Sequence, residues 1–118
     1  MKITIIGCGY VGLSLGVLLS QFNEVVAYDV DKSKVGRINK KKSPIEDQVV
    51  ESLLTSGAIN FKATSNEDDA YLKTDLIIIC TPTNYNIDTN QFDVSSVDQT
   101  LKDITMKNIS SPIFIKST

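Results

Sequence analysis

The sequence contains no histidine. It therefore lacks the commonest general base at neutral pH and the commonest protein ligand for transition metals. Cysteine is scarce. Cys8 and Cys80 are the only two, which make neither a metal motif nor a disulfide framework, and a reducing cytoplasm is the simplest compartment for such a chain. No apolar run reaches the roughly 18 residues of a membrane-crossing helix. After one lysine the N-terminus enters a β-branched run, without the small-residue cleavage pattern of a signal peptide. Positive charge is not in excess: 12 Lys and Arg stand against 14 Asp and Glu, a formal net charge of −2. Such a balance argues against nucleic acid as a partner of the whole surface, and the missing apolar run argues against a membrane. Low-complexity tracts and solenoid repeats are also absent.

What is present is a chain of 118 residues, 42% of them hydrophobic, enough for one domain with a buried core. The run Ile3-Thr4-Ile5-Ile6 ends in Gly7-Cys8-Gly9-Tyr10-Val11-Gly12, three glycines spaced G-x-G-x-x-G between a strand pattern and a helix pattern. Gly7 permits a sharp turn, Gly9 lets a pyrophosphate approach the backbone, and Gly12 lets the helix pack closely on the strand. The N–H groups at the helix start, at the positive end of its dipole, then face phosphate charge. A second apolar run, Val25 to Tyr28, ends in Asp29, placed where an acid holds a ribose 2′-hydroxyl in a dinucleotide-binding unit.

Strand and helix patterns alternate along the rest. The spacing predicts a helix over Tyr10–Phe22, apolar nearly all round and hence mostly buried, with Gly12 and Gly16 on one face. A strand follows over Glu24–Asp29, then a helix capped by Asp31 and running to Asn39. Lys40-Lys41-Lys42 reads as its solvated end. Ser43-Pro44-Ile45-Glu46 is a capping box for a helix to Ser56, with Gly57 as C-cap. A strand over Ile59–Ala63, a short acidic helix from a Ser65 cap to Lys73, and a strand over Asp75–Cys80 come next. The continuous apolar run of that last strand suits burial on both faces. A long polar loop reaches Asp93, which can cap a helix over Val94–Met106. Pro112–Lys116 is the final strand. The expected fold is α/β: a Rossmann-type, doubly wound parallel sheet, truncated after about five strands, with right-handed crossovers. With nothing after the final strand, the chain reads as the incomplete N-terminal part of a larger protein, residues 1–118 forming one nucleotide-binding domain.

In an open parallel sheet, ligands lie at the carboxyl ends of the strands. The candidates are the Gly7–Gly12 turn with Tyr10 and Val11, Asp29, the Thr81–Asn86 segment with Pro82 and Thr83, and Thr118. A carboxylate at Asp29 repels a 2′-phosphate and favours NAD over NADP, although Lys32, Lys34 and Arg37 nearby could accommodate a phosphate. Lys34 can reach the adenosine ribose or a phosphate, and equally reads as a solvated surface lysine. Thr83 has a hydroxyl where a nicotinamide ribose could lie. Cys8 and Cys80 read as packed thiols, since no activating base is evident. No metal site is expected.

Several of these runs together resemble one family. Gly7-Cys8-Gly9-Tyr10-Val11-Gly12-Leu13 is similar to the glycine turn of the UDP-glucose and GDP-mannose dehydrogenases. So are Asp29 with its following helix, Ser43-Pro44-Ile45-Glu46, Cys80-Thr81-Pro82-Thr83 and Ile115-Lys116-Ser117-Thr118, in the right order over the whole chain and closest to the UDP-glucose branch. The resemblance implies the cofactor part of an enzyme that oxidises UDP-glucose to UDP-glucuronate by two hydride transfers to two NAD, through a thioester on a cysteine that neither Cys8 nor Cys80 matches. It implies NAD contacts at Gly7, Gly9, Tyr10, Val11, Gly12, Asp29, Lys34, Pro82, Thr83 and Thr118. Thr118 is also implied to hold the catalytic water. A nucleotide sugar is the implied partner, the full-length enzyme a cytoplasmic homodimer, and this chain alone a binder of NAD without turnover. The alternatives are a dehydrogenase of GDP-mannose or of a UDP-N-acetyl hexosamine, and a non-enzymatic NAD-sensing regulatory module. A methyltransferase using S-adenosylmethionine is disfavoured, because Ile5-Ile6 stand where it would usually carry an acid.

Overall fold

The structure, a computed structural model, describes residues 1–42, 48–57, 59–80, 84–86, 91–93, 95–107 and 109–116, the side chains of 84–86, 91–93 and 95–97 excepted. The elements run β1 (Lys2–Ile6), α1 (Tyr10–Leu19), β2 (Glu24–Tyr28), α2 (Lys32–Asn39), α3 (Gln48–Ser56), β3 (Phe61–Thr64), α4 (Glu67–Tyr71), β4 (Leu76–Ile79), β5 (Asn84–Asn86), β6 (Gln91–Asp93), α5 (Ser95–Met106) and β7 (Ile113–Ile115). Five strands form one sheet in the order β3-β2-β1-β4-β7, and every neighbouring pair in it is parallel. The chain winds outward from β1 through β2 to β3, then returns to the other side of β1 for β4 and β7. The expected Rossmann-type sheet is the one observed.

Helices cover both faces, and the strands read accordingly. On β1, Ile3 and Ile5 pack with Leu13 and Val17 of α1, Val35 and Ile38 of α2, and Val50 and Leu54 of α3. Ile6 faces the other way, with Ile77, Ile79, Tyr71 of α4 and Ile104 of α5. Burial on both faces is why β4 is apolar without alternation: Ile77, Ile78 and Ile79 are all buried. The one polar residue in this part of β1, Thr4, is fully buried and satisfied. Its Oγ1 lies 2.6 Å from the Ala70 carbonyl, to which it can donate, and 2.7 Å from Thr74 Oγ1, which ties the end of α4 to the central strand.

Several sequence expectations need correction. α1 stops at Leu19, short of Phe22, because Ser20 closes it with its amide on the Gly16 and Leu18 carbonyls. The helix is buried on one stripe only: Gly12, Leu13, Gly16 and Val17 face inward, while Leu18 is 51% and Phe22 88% exposed. The short acidic helix is capped by Asn66, not Ser65. The Asn66 side-chain oxygen Oδ1 accepts from the Asp68 and Asp69 amides, and the helix ends at Tyr71, two residues before Lys73 turns to φ 53°. The polar stretch after β4 contains an antiparallel pair, β5 with β6, and Asp93 belongs to β6, with the helix beginning at Ser95. The second strand ends at Tyr28, the strand expected over Ile59–Ala63 is shifted to Phe61–Thr64, and the strands expected over Asp75–Cys80 and Pro112–Lys116 are each one residue shorter at both ends. The Ser43–Glu46 capping box lies outside the described residues. The Asp31 cap on α2 is as expected, accepting from the Ser33 and Lys34 amides, and Gly57 has the left-handed φ of 71° suited to a residue after a helix.

Candidate cofactor site at the carboxyl edge of the sheet

The strand ladders continue one residue past β1, β2, β4 and β7. Gly7 N donates to Tyr28 O at 2.8 Å, Asp29 N to Thr64 O at 3.2 Å, Cys80 N to Ile6 O at 2.7 Å and Lys116 N to Ile79 O at 2.9 Å. Gly7, Asp29, Cys80 and Lys116 therefore stand in a row along the carboxyl edge. Between β1 and β4 the strand order reverses direction, which opens a crevice at that edge.

The glycine turn is built as its spacing predicts. Gly7 has φ 100°, a conformation that side chains rarely adopt. A Cβ on Gly12 would lie 1.9 Å from the Gly7 carbonyl oxygen and 3.2 Å from Cys80 Cβ, so only glycine lets α1 start this close to the turn. Gly9 is different. Its backbone is extended (φ −77°, ψ −166°), and a Cβ there would meet nothing within 4 Å. The fold leaves open space beside it. Gly9 has no side-chain cap to offer, no acidic residue occupies the first turn of α1, and the first bond into that helix is Leu13 N to Gly9 O at 2.9 Å. The preceding amides of that turn have no acceptor within the helix. Unpaired N–H groups, a positive dipole end and an open approach together form a cradle for an anion. Tyr10 is 62% exposed beside it and Val11 half-buried.

Asp29 reaches back to this turn. Its Oδ2 accepts from Cys8 N at 2.9 Å, and its Oδ1 accepts from Asp31 N at 2.8 Å. A carboxylate offers about four acceptor positions, so roughly two remain for hydroxyl groups of a ligand. The bond to Asp31 is an Asx turn, a local pattern that the Asp-x-Asp spacing could have signalled. The bond to Cys8 spans 21 residues and has no sequence signal. Lys34, half-buried in the first turn of α2, also acts at this place. Burial first and the Asp29 carboxylate second push the Cys8 thiol up to about 12, against a partial pull downward from the Lys34 ammonium. Burial likewise raises the Cys80 thiol, against a smaller pull from Lys116. Both thiols stay protonated at neutral pH and are packed, as the sequence suggests. The turn, Val11, Tyr10, Asp29 and Lys34 thus come together. Pro82, Thr83 and Thr118 lie outside the described residues.

A polar cleft of about 710 Å³ opens elsewhere, lined by Lys2, Phe22, Glu24, Asn60 and Asp75 among others. It lies at the amino ends of the strands, away from the glycine turn. Among the described residues, no group of three His, Cys, Asp or Glu side chains could hold a metal ion, and no helix is long and apolar enough to cross a membrane.

The model of the UDP-glucose/GDP-mannose dehydrogenase family, NAD binding domain, matches residues 1–118. The chain belongs to this family. The part of the family that it matches is the NAD-binding domain. It is 48% identical over 118 residues to UDP-glucose 6-dehydrogenase of Streptococcus pneumoniae, covering 100% of this chain and 30% of that protein. It is 46% identical over 122 residues to the UDP-glucose 6-dehydrogenase of Campylobacter jejuni, again covering 100% and 30%. Identity to the GDP-mannose 6-dehydrogenase of Pseudomonas syringae pv. tomato is 35% over 124 residues, with 100% and 28% covered. Among solved structures, a ternary complex of GDP-mannose dehydrogenase from Pseudomonas aeruginosa superposes with a TM-score of 0.89 at 30% identity, over 100% of this chain and 28% of that one. The chain thus spans about 30% of the length of the curated relatives it matches.

Proposed function

We propose that this domain serves a UDP-glucose dehydrogenase, in which UDP-glucose is oxidised to UDP-glucuronate by two successive hydride transfers to two NAD. The observation that carries the reading is the open, uncapped turn at Gly9 with the Asp29 carboxylate bonded to its rim. The preference for UDP-glucose over GDP-mannose is supported by the higher identity to the UDP-glucose enzymes, 46–48% against 35%.

Each residue has a distinct task in this reading. The amides of Tyr10 and Val11 hold the diphosphate, with Gly7 shaping the turn, Gly9 leaving room and Gly12 seating the helix start. Asp29 accepts from the adenosine ribose, and its charge turns away a 2′-phosphate. Lys34 places a cation beside the same ribose. When bound, NAD supplies the hydride acceptor. Pro82, Thr83 and Thr118 complete the contacts on the strength of the family resemblance, Thr118 also holding the water that resolves the second step. Cys8 and Cys80 are not nucleophiles, consistent with burial holding both thiols protonated. The chain alone therefore binds NAD without turning over, and the full-length enzyme is a cytoplasmic homodimer acting on its nucleotide sugar.

Calorimetric titration of the chain with NAD and NADP tests the site. NAD binding should be tighter, and tighter NADP binding would overturn the role given to Asp29. NADH absorbance in a mixture of the chain, NAD and UDP-glucose should stay flat, and a steady rise would refute the assignment of the two thiols. In the full-length enzyme, kcat/KM should favour UDP-glucose over GDP-mannose and over a UDP-N-acetyl hexosamine, and light scattering should give the mass of a dimer.

A further inference from the structure

We propose that Asp29 is a positioning residue for the diphosphate as well as a ribose acceptor: its carboxylate fastens the glycine turn in the ligand-free protein, so affinity for a diphosphate depends on Asp29 even when the ligand has no ribose hydroxyl. This inference rests on the reading of the turn as the cofactor site.

The glycine turn needs an external restraint. Gly7 at φ 100° and the side-chain-free Gly9 give the segment little intrinsic stiffness, since glycine explores more backbone conformations than any other residue. The amide of Gly7 is held by Tyr28 O and that of Leu13 by Gly9 O. Between them, Cys8 N is held by a side chain, Asp29 Oδ2, at 2.9 Å. The carboxylate is itself locked, because its other oxygen accepts from Asp31 N at 2.8 Å, and Asp31 caps α2 through the Ser33 and Lys34 amides. The turn is thereby anchored through Asp29 to the start of the next helix. Fixing Cys8 N sideways settles the orientation of the following peptides, which carry the free amides at the α1 start. A preformed anion cradle loses less entropy on binding than one that orders around its ligand.

Charge and positioning predict opposite effects of removing the carboxylate. Taking one negative charge away from the neighbourhood of a diphosphate should strengthen diphosphate binding. Releasing the turn should weaken it. In Asp29→Asn the amide has one acceptor oxygen for two backbone donors. The local Asx turn to Asp31 retains that oxygen, and the NH₂ group is left facing Cys8 N–H, donor against donor.

The experiment is a cycle of two proteins, wild type and Asp29→Asn, and two ligands, ADP and 2′,3′-dideoxy-ADP, which lacks both ribose hydroxyls. Binding is followed by calorimetry and amide exchange of the ligand-free proteins by NMR. Wild type should bind the dideoxy ligand at least about tenfold more tightly than Asp29→Asn does, the size expected for losing one hydrogen bond to a charged group. The Cys8 amide should exchange at least about tenfold faster in the variant, while the Ile5 and Ile6 amides of β1 keep their protection. A general loss of stability would move all three together. If Asp29→Asn fails to fold, Asp29→Glu takes its place: it keeps the charge, displaces the carboxylate by one methylene, and should lose dideoxy-ADP affinity in the same way. Equal affinity of wild type and variant for the dideoxy ligand, or Cys8 exchange that is unchanged or moves only together with Ile5 and Ile6, overturns the proposal. Failure of wild type to bind both NAD and ADP overturns instead the underlying assignment of the cofactor site.

Discussion

Gly9 and Gly12 belong to one motif, yet the structure predicts opposite consequences for adding a single methyl group to each. In Gly12→Ala the new Cβ would lie 1.9 Å from the Gly7 carbonyl oxygen. Reaching even 3.0 Å requires a separation of about 1.1 Å between α1 and the turn, and a backbone oxygen cannot rotate away as a side chain can. Overpacking of this kind costs up to about 3 kcal/mol, and the gain in helix propensity returns about 1 kcal/mol. The net loss is up to about 2 kcal/mol, which lowers a urea midpoint by up to roughly 1 M for a small domain. In Gly9→Ala the backbone is already extended and the Cβ meets nothing within 4 Å. The midpoint should hold or rise slightly, by an amount corresponding to about 0.4–1 kcal/mol of reduced unfolded-state entropy. Its methyl group nevertheless stands in the space proposed for the diphosphate, so NAD affinity should fall at least about tenfold, or about 1.4 kcal/mol. Urea denaturation by circular dichroism and NAD titration by calorimetry separate the two effects. A Gly9→Ala protein that loses stability like Gly12→Ala, or that binds NAD as wild type does, would refute the reasoning.

Three further outcomes are expected. Leu13→Ala, at a fully buried position of α1, should cost about 2–5 kcal/mol in urea unfolding through the cavity left under the helix. Thr4→Val should cost about 1–3 kcal/mol despite its similar shape, because the Ala70 carbonyl and Thr74 hydroxyl lose their buried partner. Stability should decline as pH rises above the ordinary thiol value of 9.0 towards about 12. In that window the unfolded chain releases the Cys8 proton while the folded chain keeps it, so unfolding gains by up to about 1.4 kcal/mol per pH unit. Cys8→Ala should flatten the fall in alkaline urea midpoints, and an identical slope in both proteins would contradict the buried, protonated thiol.

Much of the architecture was legible because its causes are local. The β-branched runs at Ile3–Ile6 and Leu76–Ile79, the Asp31 cap and Gly57 all announce their roles through residue type and neighbours. Misreadings arose where neighbours were insufficient. α1 looked apolar all round, but which stripe is buried depends on where β1, β2 and α3 stand, and Leu18 and Phe22 fall outside it. Ser65 and Asn66 are both good caps, and the exit of β3 selects the second.

By itself, the order of residues determined the succession of strands and helices, the strand-turn-helix of the glycine motif and the acid that follows β2, since periodicity and backbone freedom act over a few positions. Tertiary structure alone decided that the Asp29 carboxylate grips the Cys8 amide, that Gly12 clears the Gly7 carbonyl, and that both cysteines are buried. Those contacts depend on how parallel strands register and how a helix docks upon them, which no short stretch of chain encodes.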